Sequence, residues 1–245
     1  MNVATARVKP ARRFATHDDD GDSDDLVLLP NATWADYQRV LSMRGDRSSP
    51  RIAYLEGVLE IMSPSGPHEI LKSKIRQLVE VWCLEHGVEF SAYGSWTLKR
   101  KKEERGVEPD ECYMFGGVRA PKWPDLAIEV VWRSGGLDKL DIYRKLGVRE
   151  VWFWRRGRLM VHALRGSAYE QISSSELLPG IDLGELADHL DRPTDSQAIR
   201  EYRARIRSRR SRTRRGSSVI LESGRRPGRP RGRTRASGPE DTSGG

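Results

Sequence analysis

The sequence predicts an α/β domain in which a mixed central β-sheet is flanked by helices, with a polar tail at either end. Three observations carry that expectation. Strand-like runs alternate with two clear helical patterns between about Leu26 and Leu190, a two-residue turn joins two of the runs, and charge is gathered towards the chain ends. A length of 245 residues is enough for one core with appended tails.

Thr33 is suited to cap a short helix carrying Trp34, Tyr37, Val40 and Leu41, which the stretch from Gly45 to Pro50 ends. Arg51 to Leu55 and Val58 to Met62 then form a hairpin across Glu56-Gly57. Ser63, Pro64, Gly66 and Pro67 lead into the clearest helix, whose Leu71, Ile75, Leu78 and Trp82 share one face and whose end is marked by Gly87. Further strands are expected at Val88 to Ala92, Ser95 to Leu98, Val107 to Phe115, Asp125 to Trp132, Val151 to Trp154 and Arg158 to Leu164. A second helix covers about Leu137 to Leu146 and closes at Gly147.

Composition sets the broad class. The chain is 37% hydrophobic and 32% charged, on the polar side of globular. Residues 192–245 hold 16 Arg and no Lys against 5 Asp or Glu, so this segment is +11 and the remainder of the +8 chain is −3. Basicity therefore belongs to an appendage. The expected organisation is a disordered tail over 1–25, which includes an acidic run from Asp18 to Asp25, an ordered domain over 26–190, and a disordered arginine-rich tail over 191–245. Apolar runs fall far short of the roughly 20 residues of a membrane helix, and the start lacks an apolar signal core. Cys83 and Cys112 give neither zinc spacing nor a disulfide framework. A cytoplasmic protein without membrane contact is expected, with nucleoid association through the tail.

Glu129 is the anomaly of the strand from Asp125 to Trp132. An unpaired carboxylate among Leu126, Ile128, Val130 and Val131 is costly to bury, so a metal ion or a lysine must meet it unless an edge position turns it to water. On the following helix, with Leu137 as zero, Leu140, Tyr143, Leu146 and Ile142 fall at about 300°, 240°, 180° and 140°, and Lys139 at about 200°. Lys139 thus points into the buried stripe towards Glu129, or snorkels past it to solvent. Asp110, within Glu108-Pro109-Asp110-Glu111, is either turn chemistry or a second carboxylate beside Glu129. Two carboxylates and a lysine are the minimum set for metal-dependent phosphodiester cleavage. Carboxylate oxygens hold Mg²⁺ or Mn²⁺, the metal activates water, and the lysine offsets charge in the transition state.

The order Pro109-Asp110, Pro124-Asp125-Leu126-Ala127-Ile128-Glu129-Val130, Leu137-Asp138-Lys139-Leu140-Asp141-Ile142-Tyr143 and Gly147-Val148-Arg149-Glu150-Val151-Trp152 resembles the Uma-two family of restriction endonucleases, within the PD-(D/E)XK nuclease superfamily. Gly57 to Pro64 followed by His68-Glu69 extends the likeness, which covers about Trp34 to Leu190. The resemblance implies a restriction-endonuclease-like fold, a divalent metal on Asp110 and Glu129, and hydrolysis of DNA. The superfamily lysine would stand two residues after the glutamate, where this chain has Val131, and Lys139 matches a relocated position on the next helix. Glu60 is either a further metal-facing carboxylate or a solvent-side residue, and His68 either contacts a scissile phosphate or is a core histidine.

The segment from Arg225 to Arg233 resembles an AT-hook, with Arg226, Arg229, Arg231 and Arg233 as candidate minor-groove contacts. DNA is the expected partner and a homodimer is left open. The alternative is a nucleic-acid-binding protein on a nuclease-like scaffold that does not cut and docks through its arginine-rich tail.

Overall fold

The computed structural model describes residues 23–117, 122–132 and 135–223, with side chains as far as residue 211. The strands are β1 (Asp25–Pro30), β2 (Arg51–Leu55), β3 (Val58–Ser63), β4 (Phe90–Ala92), β5 (Leu98–Arg100), β6 (Arg105–Val107), β7 (Glu111–Phe115), β8 (Leu126–Val130), β9 (Glu150–Arg155), β10 (Arg158–Arg165) and β11 (Ala168–Ile172). The helices are α1 (Trp34–Arg44), α2 (Gly66–His86), α3 (Lys139–Leu146), α4 (Leu183–Asp188) and α5 (Asp195–Ser223).

Two sheets stand where one was expected. The first is antiparallel in the order β1-β3-β2-β6-β5, and the second runs β11-β10-β9-β8-β7-β4. The second sheet is mixed, because β8 and β9 are parallel while the other pairs are antiparallel. The predicted strand from Val107 to Phe115 is the cause of the split: it breaks at Glu108-Pro109-Asp110, so that β6 lies in the first sheet and β7 in the second. Pro109 has no N–H for a ladder, which fits a crossing point between sheets.

Local chemistry explains the elements that position the site. Thr33 and Asp36 form a reciprocal capping box on α1. Glu56 and Gly57, at φ 42° and 91°, make the left-handed turn that pairs Leu55 with Val58. Ser65 caps α2, and Gly87 ends it with φ 68°. Asp138 caps α3 and Gly147 ends it. Ile142, Tyr143 and Leu146 of α3 pack in one buried cluster with Ala53, Leu98 and Val107 of the first sheet and Ala127 and Val151 of the second. That shared core ties the two sheets together.

The chain divides into two compact units at Arg203 and Ala204. In the first unit, α5 begins where a disordered tail was expected from 191. Thr194 accepts a hydrogen bond from Gln197 N, Gln77 of α2 donates to Asp195, and Ala198 and Tyr202 bury the same face one turn apart. Charge suggested disorder, yet arginine is a good helix former and needs only such an anchor to begin. Arg226, Arg229, Arg231 and Arg233 lie outside the described residues. Among the described residues no helix is long and apolar enough to cross a membrane.

Candidate active site

Asp110, Glu129, Lys139, Glu60 and His68 are brought into one neighbourhood. Asp110 immediately precedes β7, and the register that pairs Glu111 with Ile128 continues to bring Asp110 opposite Glu129 at the end of β8. Asp110 Oδ2 accepts the Val130 N–H at 2.8 Å, which pins the carboxylate to that strand. Both acids are buried, Asp110 at 1% and Glu129 at 3% exposure.

Lys139 occupies the inward position that the helical wheel gave it. Its Nζ is 3.5 Å from Glu129 Oε2 and 3.6 Å from Glu60 Oε1, ion-pair spacings longer than a direct hydrogen bond. Tyr143, one turn further along α3, donates its hydroxyl to Glu129 Oε1. Glu60 reaches the group from β3, buried, with Oε2 accepting the Leu137 N–H at 2.7 Å. A cleft of about 480 Å³ opens on Glu60, Glu129 and Lys139, and Asp24 also lines it.

His68 has no exposed surface, which fits the core-histidine alternative and not contact with a phosphate. Its Nδ1 lies 2.8 Å from Asp24 Oδ2 and its Nε2 3.1 Å from Asp110 Oδ1. The second approach sets the ring against Asp110 Oδ1, which is itself buried. Arg51 Nε stands 3.9 Å from the same oxygen. Asp24 was expected in the disordered tail, as one of an acidic run. It instead takes the Ser65 N–H and His68, and becomes part of the support of Asp110.

The electrostatics follow from burial of so many acids together. Burial pushes Glu129 up to about 7, and the charges of Asp110 and Glu60 add to this against the opposing pull of Lys139 and the Tyr143 hydroxyl. Burial works against the charge of Lys139, but Glu129, Glu60 and Asp110 outweigh it and hold the ammonium above its ordinary value. Burial likewise opposes charge on His68, and the two flanking aspartates overcome it to bring the ring up to about 9. Asp110, raised by burial, is drawn below the usual carboxylate range by His68, the Val130 N–H and Arg51.

Asp110 and Glu129 could hold a hard divalent cation. Of the two, Glu129 is the one short of positive charge, because Asp110 already faces His68 and Arg51, which hold it low. Among the described residues no three His, Cys, Asp or Glu gather as a ligand set.

Tyr143 and Asp24 escaped the sequence reading for different reasons. Tyr143 was visible as a polar-tipped residue four positions after Lys139 on the inward face, but was assigned wholly to the apolar stripe. Asp24 carries no local signal, since its partner His68 is 44 residues away.

A family model named Uma2 and described as "putative restriction endonuclease" matches residues 34–190. Among solved structures, the chain is similar to a protein described as a "putative nuclease belonging to DUF820" from Anabaena variabilis ATCC 29413. The two share 13% identity at a TM-score of 0.40, over 66% of this chain and 96% of that one. No curated protein matches the sequence.

Proposed function

Because the chain belongs to the Uma2 family, we propose that it is a metal-dependent endonuclease that hydrolyses DNA phosphodiester bonds, with Asp110 and Glu129 holding Mg²⁺ or Mn²⁺. The observation that carries the reading is Lys139, an ammonium side chain only 14% exposed, set between Glu129 and Glu60 on an open cleft. Burying three acids and a lysine together costs stability that an apolar cluster of similar volume would not, so the arrangement has a use beyond folding. When bound, the cation would polarise the phosphoryl group and lower the pKa of an attacking water.

The chain's own residues do the rest. Lys139 offers its ammonium to the charge that grows on the phosphoryl oxygens, a preorganised donor already desolvated by its surroundings. Glu60 is the second acid beside that ammonium. The Val130 N–H fixes one Asp110 oxygen, and His68 and Arg51 neighbour the other. Asp24 and His68 support Asp110 from behind.

The test is nicking of supercoiled plasmid with Mg²⁺ or Mn²⁺. The wild type is expected to nick, Asp110→Ala and Glu129→Ala to lose activity, and Lys139→Met to be slowed by about 10²–10³-fold. Equal nicking by wild type and either acid variant would overturn the assignment. A scaffold that only binds nucleic acid would show no cation binding by calorimetry, and that result would favour the non-cutting alternative.

A further inference from the structure

The cleft does not stop at the charged cluster. Beyond Lys139 its walls are Leu26, Met62, Trp132, Leu140, Phe153 and Met160, with Arg155, His162 and Gln171 at the polar border. Phosphates and sugars gain nothing from such a surface, whereas the face of a nucleobase does. Trp132 is the telling residue. It is 47% exposed, and among the large apolar side chains standing most in water it is the one that lines this cleft. An indole left half in solvent on a concave wall marks a contact site. The backbone just before it is fastened to β9, where Val131 donates its N–H to Trp154 O at 2.9 Å.

We propose that this half of the cleft takes an unpaired nucleobase of the substrate strand, stacked on Trp132, while the adjoining phosphate lies against Lys139. The proposal rests on the nuclease reading and narrows it to a substrate class: single-stranded DNA, or duplex carrying an unpaired nucleotide. Trp132 and Lys139 line the same cleft, so a base and its adjoining phosphate can meet both at once. A base inside an intact duplex is stacked on both faces and reaches Trp132 only if it is extruded. The cleft, at about 480 Å³, is in the range of small-ligand sites and has room for a nucleotide. Arg155 and Gln171 at its border supply donors for the polar edge of the base.

The experiment is fluorescence anisotropy of the full-length protein with a labelled single-stranded oligonucleotide and with the blunt duplex of the same sequence, with Ca²⁺ in place of Mg²⁺ to offset the acids of the cleft, at physiological salt. The wild type is expected to prefer the single strand. Trp132→Ala should weaken single-strand binding by about tenfold and leave duplex binding unchanged, and Trp132→Phe should retain most of the preference. Equal wild-type affinity for the two forms, or an unchanged single-strand affinity in Trp132→Ala, would overturn the proposal. So would parallel losses on both substrates. Repeating the set with Mg²⁺ and scoring cleavage separates the two readings. Selective loss of single-strand binding with no cleavage by any protein would keep the base site and remove the nuclease. Cleavage by the wild type with Trp132→Ala unaltered in binding and rate would do the reverse.

Discussion

Glu129 and Glu150 lie on the neighbouring parallel strands β8 and β9, both in the sheet interior, yet they are held in opposite ways. Glu150 is saturated: Oε1 accepts the N–H groups of Glu176 and Leu177, and Oε2 accepts the Trp152 indole and the Ser175 hydroxyl. It ties down the loop after β11. Glu129 has one hydroxyl donor and a lysine at 3.5 Å, and shares its surroundings with two further acids. A buried carboxylate with every lone pair engaged is a structural part, whereas one left short of positive charge is poised to accept it.

The comparison can be broken by making the same change at both sites. Glu150→Gln turns an amide NH₂ towards groups that are themselves donors, and should cost about 3 kcal/mol in urea unfolding. Glu129→Gln keeps an acceptor for Tyr143 and relieves repulsion from Asp110 and Glu60, so its stability should stay within about 1 kcal/mol of the wild type. Similar losses at the two positions would erase the distinction. A second expectation sharpens it: Mg²⁺ at about 100 times its dissociation constant should stabilise the wild type and Glu150→Gln alike by about 2.7 kcal/mol in thermal unfolding, and should not stabilise Glu129→Gln. The smallest effect is expected one step further out. Asp24→Asn removes the charge behind His68 while leaving the cleft lysine in place, and should lower cation affinity or cleavage by about 10–100-fold. Calorimetry and plasmid nicking on that variant check it, and wild-type values in both would make Asp24 a bystander.

Much of this was legible from residue patterns, because the decisive signals are local. The hairpin over Arg51 to Met62, the stripe of α2 and the inward Lys139 each depend on periodicities of two or 3.6 residues, and each is found where it was expected. What was not legible depends on partners distant in the chain. Asp24 looks like one of six acids in a polar run until His68 is folded against it. The division into two sheets hangs on a break at Pro109 that alternation alone hides, although a proline inside a strand pattern was a warning. The strand β1 was passed over as a bare apolar run, since its edge position leaves Val27, Leu28 and Leu29 exposed and its alternation weak. The helix α5 was masked by arginine, whose charge dominates composition while its backbone preference is helical.

The site draws Glu60 from one hydrogen-bonded sheet, Asp110 and Glu129 from the other, and Lys139 from the helix packed into the core they share. Neither half contains a working set. A loosened chain, with the two sheets apart, carries its acids without the ammonium between them, so the charged cluster exists only in the packed fold.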